Sequence, residues 1–157
     1  MKTLTRTQLV ALAAGGSLAL LLGAFFFQAL GYAPCKMCLW QRWPHAAAII
    51  LGATYMGVQT RVLIWLGAGA AAVTAGLGAF HTGVERKWWE GPSSCSGGGN
   101  TLSGLTGSDL LPGSETKVII MCDEVSWQLF GLSMASYNFV ISALLVVVWV
   151  MAARKAA

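Results

Sequence analysis

Four apolar stretches separated by polar segments dominate the chain. They cover about residues 9–30, 42–58, 62–80 and 137–153. A helix that crosses a bilayer needs about 20 apolar residues, with a range of about 17–25. The first and third stretches meet this length, whereas the second is short and borrows the polar pair Gln41 and Arg42 at one end. The pattern predicts an all-α membrane protein with a bundle of four transmembrane helices.

The first apolar stretch begins after the basic residues Lys2 and Arg6, as the apolar part of a cleaved signal peptide would. Its run is longer than the roughly 7–15 residues that are typical of such a peptide. Three further apolar stretches follow it in any case. We therefore expect a retained helix and a single integral membrane domain over residues 1–157.

Two polar segments, residues 31–41 and 81–136, fall on the same predicted side of the membrane. The second contains the glycine- and serine-rich tract Ser93–Asn100, whose composition is typical of a flexible chain. Residues 123–132 are mostly apolar with two acids at their start, which suits a helix N-terminus. We expect a short helix there that lies along the membrane interface.

The composition agrees with a membrane protein. Hydrophobic residues make up 56% of the chain and charged residues 10%, whereas globular chains carry roughly 25% charged residues. The formal net charge is +4, and the basic residues are scattered. No stretch interleaves basic with aromatic residues, so we expect no nucleic-acid partner.

Charge and cysteine positions predict the orientation. The short segments on one side carry five basic residues and no acid, namely Lys2, Arg6, Arg61, Arg154 and Lys155. The other side also has five basic residues but carries all six acids and all four cysteines. Basic residues in short segments favour the cytoplasm, and disulfides persist outside it. We therefore expect cytoplasmic N and C termini and cysteines on the outer side of the membrane, which for a bacterial inner-membrane protein is the periplasm.

The candidate chemistry begins at Cys35-Lys36-Met37-Cys38. Cysteines at this spacing can close a disulfide, and one thiol of such a pair often has a lowered pKa. Arg42 follows Cys38 by one helical turn, where its charge would favour a thiolate or an anion on a bound acceptor. Alternatively, Arg42 is an interfacial anchor that reaches the lipid headgroups.

A second pair, Cys95 and Cys122, lies in the longer outer segment. Alone, this pair is equally compatible with a structural disulfide. Four thiolates could also bind zinc, but the second pair lacks the tight spacing of zinc modules. Two cysteine pairs on one membrane face, one near the surface and one in a flexible segment, suggest a relay by thiol–disulfide exchange.

A relay needs a terminal electron acceptor. The chain has no CXXCH haem motif, no GxGxxG loop and no iron–sulfur spacing. An acceptor dissolved in the bilayer remains, and a lipid quinone fits that description. His81 and His45 are weaker signals of a functional site than the cysteines. His81 is also explained as a polar residue at a helix end, and His45 as an interior histidine whose hydrogen bonds are satisfied.

In these features the chain resembles the DsbB family, the quinone-linked membrane oxidants of the bacterial thiol-oxidation pathway. The resemblance covers essentially the whole chain, including the order of the two cysteine pairs and Arg42. The stretches Phe80–Glu85 and Cys122–Ser133 also look like that family.

The resemblance implies a role for each site residue. Cys95 would form a mixed disulfide with a reduced, DsbA-like thioredoxin-fold partner, and Cys122 would pass the electrons on to Cys35. Cys38 would face a ubiquinone or menaquinone and form a thiolate contact or adduct with it. Arg42 would polarise a quinone oxygen, and His81 would lie near the quinone ring. The family implies that both the two-pair disulfide arrangement and an interloop Cys35–Cys122 bond are visited.

Gln41 stands at a position that can be acidic in the family.

Three alternatives stay open. Some relatives within the family serve one dedicated sulfotransferase-like partner. A vitamin K epoxide reductase-like enzyme would also use a quinone, but its redox Cys-X-X-Cys comes late in the chain. A non-catalytic four-span scaffold with an outer disulfide would leave Cys35, Cys38 and Arg42 unexplained.

Overall fold

The computed structural model describes residues 4–92, 95 and 121–155. These residues form four α-helices, which are α1 (Arg6–Ala29), α2 (Lys36–Val58), α3 (Arg61–Glu85) and α4 (Met134–Arg154). Two short strands, β1 (Gln128–Leu129) and β2 (Leu132–Ser133), pair antiparallel just before α4. The prediction of a mostly helical fold is confirmed.

Three of the helices, α1, α3 and α4, are long and apolar enough to cross a membrane. Helix α2 has 23 residues but is less apolar, because its first turns carry Lys36, Gln41, Arg42 and His45. Large apolar side chains cover the outside of the helices, among them Leu22, Phe26, Ile50, Trp65 and Leu144. Such an apolar exterior is suited to lipid contact, as expected of a helical membrane protein.

Side-chain caps define where the helices of the site begin. Cys35 is the N-cap of α2, and its Sγ accepts a hydrogen bond from the Cys38 backbone N–H. Ser133 caps α4 in the same way through the N–H of Ser136. An N-cap side chain lies at the positive end of the helix dipole. The first cysteine of the Cys-X-X-Cys pair is therefore held at a helix terminus.

Small residues let the helices approach closely around Trp149, whose side chain is fully buried. A Cβ added at Gly67 of α3 would lie 2.6 Å from the Trp149 ring. At the other end of the same helix, a Cβ at Gly78 would lie 2.9 Å from the backbone N of Phe139. Glycine is required at both positions because no other residue leaves room for α4.

One expected element is wrong. Residues 123–132 do not form the expected interfacial helix, because Phe130 and Gly131 adopt positive φ angles of 50° and 75°. Two such residues make the tight turn of a β-hairpin, and this one joins β1 to β2. The tract Ser93–Asn100 lies outside the described residues, apart from Cys95.

The helices also extend further than the apolar stretches predicted. Helix α2 begins at Lys36, α3 continues to Glu85, and α4 begins at Met134. The additional turns carry Gln41, His81 and Glu85, which contact one another in the candidate site.

Candidate functional site

All four cysteines lie in one buried cluster. The side chains of Cys35, Cys95 and Cys122 pack together with two apolar residues, and Cys38 packs against them. Cys95 and Cys122 form a disulfide with a Cα–Cα distance of 5.3 Å. Cys35 and Cys38 are free thiols whose sulfur atoms lie 2.9 Å apart. The fold thus brings together two pairs that are far apart in the chain.

Cys35 is held in an environment that favours its thiolate. Its hydrogen bond with the Cys38 side chain is the largest cause, and His81 adds to it with Nε2 3.6 Å from Cys35 Sγ. Burial opposes these contacts, but together they lower the pKa of Cys35 to about 5. Cys35 is therefore the more acidic thiol expected of a Cys-X-X-Cys pair.

A hydrogen-bond chain fixes the orientation of the His81 ring. The Gln41 side-chain amide must present its nitrogen to the Met37 carbonyl oxygen, 3.2 Å away. The same nitrogen lies 2.9 Å from His81 Nδ1, which therefore accepts a hydrogen bond. Neutral His81 then carries its proton on Nε2, the atom that faces Cys35 Sγ and lies 3.9 Å from a Glu85 carboxylate oxygen.

The chain continues from Gln41 into α4 and back to α2. Asn138 Nδ2 donates to Gln41 Oε1 at 2.6 Å, and also lies near the carbonyl oxygen of Thr74. This leaves Asn138 Oδ1 to accept from His45 Nε2 at 2.8 Å. Buried polar groups in a membrane helix are costly unless paired, and here they pair with one another across α2, α3 and α4.

Arg42 crosses from α2 to α1. Its Nη1 donates to Gln28 Oε1 at 2.7 Å, and the guanidinium lies 4.7 Å from the centroid of the Phe25 ring. Arg42 Nε is buried, and no hydrogen-bond partner for it exists among the described residues. The guanidinium is thus held between α1 and α2 through Nη1, while its buried Nε–H has no partner in the described part of the chain.

A cavity of about 330 Å³ opens beside the Cys-X-X-Cys pair. Its walls come from all four helices and the hairpin region, with His81 contributed by α3, and they include the aromatic residues Phe27, Tyr32, Trp127 and Tyr137. The polar lining residues are Cys38, Gln41, Arg42, His45, His81 and Asn138. Of the four cysteines, Cys38 is the one that lines the cavity. An apolar space with a few polar groups is typical of a small-molecule site.

The structure adds residues that the sequence analysis missed. Thr74, Asn138 and Glu85 join the network around the two histidines. Thr74 and Asn138 interrupt apolar stretches, and a polar residue inside a membrane helix is by itself a functional signal. His45 is an interior histidine as expected, but only its Nε2 is paired within the described residues.

The same side chains offer a partial set of metal ligands. Cys35, Cys38 and His81 present three donor atoms within 4.8 Å of one another. The four-thiolate zinc arrangement would also need Cys95 and Cys122, which are bonded to each other here. With the described residues arranged in this way, the available zinc ligands are at most Cys35, Cys38 and His81.

Comparisons with known proteins agree on one family. The family model described as Disulfide bond formation protein DsbB matches residues 6–152. Disulfide bond formation protein B of Polaromonas naphthalenivorans strain CJ2 is 30% identical over 147 residues, covering 88% of this chain and 85% of the relative. A protein of the same name from Polaromonas sp. strain JS666 is 26% identical over 128 residues, covering 74% and 71%. No solved structure matches. Because the family model spans nearly the whole chain, the protein belongs to the DsbB family of disulfide bond formation proteins.

Proposed function

We propose that this protein is an enzyme that reoxidises the dithiol of a periplasmic, DsbA-like partner and transfers the electrons to a lipid quinone. One observation carries the proposal. The four cysteines share a buried cluster, and Cys38 connects that cluster to the apolar cavity. A structural disulfide needs neither a second thiol pair beside it nor a cavity.

The thiol steps balance in electrons and protons. A partner thiolate attacks Cys95, the Cys95–Cys122 bond breaks, and the second partner thiol releases the oxidised partner from the mixed disulfide. Cys122 of the reduced pair then attacks Cys35 of a Cys35–Cys38 disulfide and releases Cys38. Cys95 next attacks Cys122, which restores the Cys95–Cys122 disulfide and leaves Cys35 and Cys38 as free thiols. These two thiols give up two electrons and two protons when their disulfide forms again.

The cavity fits an apolar ring with oxygen substituents. Its walls are mainly apolar and aromatic, and two polar atoms, Arg42 Nε and His45 Nδ1, are buried without a partner in the described part of the chain. Cys38, Arg42 and His81 would contact the ring, and a bound quinone would supply the two-electron, two-proton sink. Ubiquinone and menaquinone both meet this description.

The proposed orientation places the cysteines in the periplasm and both termini in the cytoplasm, with the helices in the bacterial inner membrane. Arg6 Nε donates to the Lys155 carbonyl oxygen at 3.2 Å, so the ends of α1 and α4 lie together. The cysteine cluster lies at the opposite helix ends, where α2 begins. Basic residues at the joined termini support a cytoplasmic location for them.

The experiment is quinone reduction by the purified protein, followed in the ultraviolet, with a reduced DsbA-like protein as donor. Cys38→Ser should abolish turnover, because it removes the thiol between the cluster and the cavity. Ser17→Ala is the matched control: its hydroxyl is fully buried, has no partner among the described residues and lies outside the cavity. No turnover by the unmodified protein with either quinone class would instead favour the non-catalytic scaffold.

A further inference from the structure

His45 has a polar atom that the fold leaves unused. The side chain is 3% exposed, on the face of α2 that lines the cavity. Within the described residues its Nδ1 has no hydrogen-bond partner. An unpaired buried polar atom has a substantial free-energy cost, and the cavity is the place where a bound molecule could satisfy it.

The network decides whether this atom donates or accepts. Asn138 directs its amide nitrogen to Gln41 Oε1 and its amide oxygen to His45. Because that oxygen accepts, His45 Nε2 carries the proton, and neutral His45 has a lone pair on Nδ1. The chain of bonds that begins at the Met37 carbonyl therefore makes Nδ1 of His45, a residue that lines the cavity, a hydrogen-bond acceptor.

Arg42 provides the complementary group. It precedes His45 by three residues on the same helix, so both side chains lie on one face. Its unpaired Nε–H is a donor. One face of α2 thus presents Cys38, then a donor, then an acceptor along the cavity wall.

We propose that His45 is a second binding residue for the quinone and accepts a hydrogen bond from a hydroxyl of its reduced, quinol form. This inference rests on the proposed function. An acceptor atom pairs with the O–H of a quinol but repels the carbonyl oxygen of a quinone. His45 therefore makes the cavity more favourable for the reduced form than for the oxidised form.

The test is equilibrium binding of duroquinone and its hydroquinone to the purified protein in detergent, without oxygen. A Cys38→Ser background prevents electron transfer during the titration. His45→Leu should weaken hydroquinone binding about fivefold, the effect of one hydrogen bond, and leave quinone binding within about twofold. His45→Gln should restore hydroquinone binding, since its amide can donate to Asn138 and accept in the cavity. Ser17→Ala should change neither affinity.

Three results would overturn the inference. The first is an equal loss of both affinities in His45→Leu, which would indicate a packing role. The second is no change in either affinity, and the third is no hydroquinone binding by the Cys38→Ser protein that retains His45. Failure here is separate from failure of the proposed function, because quinone reduction by the unmodified protein is measured independently. If the unmodified protein reduces quinone but His45→Leu leaves the ratio of hydroquinone to quinone affinity unchanged, only the proposed role of His45 is ruled out.

Discussion

At the residue scale, the site depends on which atom of each side chain faces which neighbour. Gln41 illustrates this, because its amide nitrogen contacts both the Met37 carbonyl and His81 Nδ1. A carboxylate at the same position would accept from His81 instead of donating, and the protonated nitrogen of the ring would change. The residue at position 41 therefore affects whether the His81 nitrogen that faces Cys35 carries the proton.

The ionisation of Cys35 is directly testable by thiolate absorbance near 240 nm. With the Cys35–Cys38 pair reduced, we expect a transition at about pH 5, with the thiolate present above it. His81→Phe removes the Nε2–H that faces Cys35 Sγ, and should raise the pKa of Cys35 by about one unit. The groups facing Cys35 are Cys38, His81 and Glu85.

Cys35→Ser is the control, and the transition should disappear in that variant. An unchanged midpoint in His81→Phe would show that His81 does not stabilise the thiolate. The Cys95–Cys122 disulfide does not titrate, so it adds nothing to the signal.

At the scale of elements, short polar contacts determine where helices begin and small residues determine how closely they pack. Ser133 both ends the hairpin and caps α4, and its hydroxyl also donates to Glu85 at the end of α3. The start of α4 is thus tied to the helix that carries His81. Loss of that tie would loosen the hairpin side of the cavity.

Removal of the Ser133 cap should destabilise the protein. Ser133→Ala loses the bond to the Ser136 N–H, which typically costs about 1 kcal/mol. The free energy of unfolding in detergent measures the effect. Ser126→Ala is the matched control because Ser126 is exposed, and it should lie within about 0.5 kcal/mol of the parent protein. Equal free energies of unfolding for Ser133→Ala and Ser126→Ala would contradict a stabilising role of the Ser133 cap.

The close approach of α3 and α4 can be tested with two glycines of α3. Gly67→Ala would place a Cβ 2.6 Å from the buried Trp149 ring, whereas a Cβ at Gly69 meets nothing within 4 Å. We expect Gly67→Ala to lower the free energy of unfolding by about 1–3 kcal/mol, as overpacking does. Gly69→Ala should be neutral or stabilising through helix propensity. A larger loss of stability in Gly69→Ala than in Gly67→Ala would show that α3 and α4 lie further apart near Trp149.

At the scale of the whole molecule, the fold joins cysteines from two separate segments. Cys35 directly precedes α2, whereas Cys95 and Cys122 both lie between α3 and the hairpin. Their common burial brings the two pairs into one packed cluster. The cavity then lies beside Cys38, on the side of α1 and α4.

The proximity of the two pairs predicts a specific cross-link. In a Cys38→Ser, Cys95→Ser double variant, Cys35 and Cys122 should form a disulfide on mild oxidation, because both are in the cluster. Non-reducing peptide mapping identifies the bond. The Cys35→Ser, Cys95→Ser variant leaves Cys38 with Cys122 and should cross-link more slowly. Faster cross-linking of Cys38 would contradict the proposed order of the relay.

The class of the protein and its reactive groups follow from local patterns in the chain. Apolar runs of membrane-spanning length predict helices wherever they occur, and the order of Cys35, Cys38, Arg42, Cys95 and Cys122 is a local property of the chain. The resemblance to the DsbB family rests on the same residues, and the family match confirms it.

The arrangement of those groups depends on contacts between distant parts of the chain. Residues 123–132 have an apolar pattern that favoured a helix, but the left-handed turn at Phe130 and Gly131 makes a hairpin. The network through Asn138 and His45 joins helices that are distant in the chain, so no local pattern contains it. Hydrogen-bond direction and cavity shape arise from packing between helices, and packing is a property of the folded molecule.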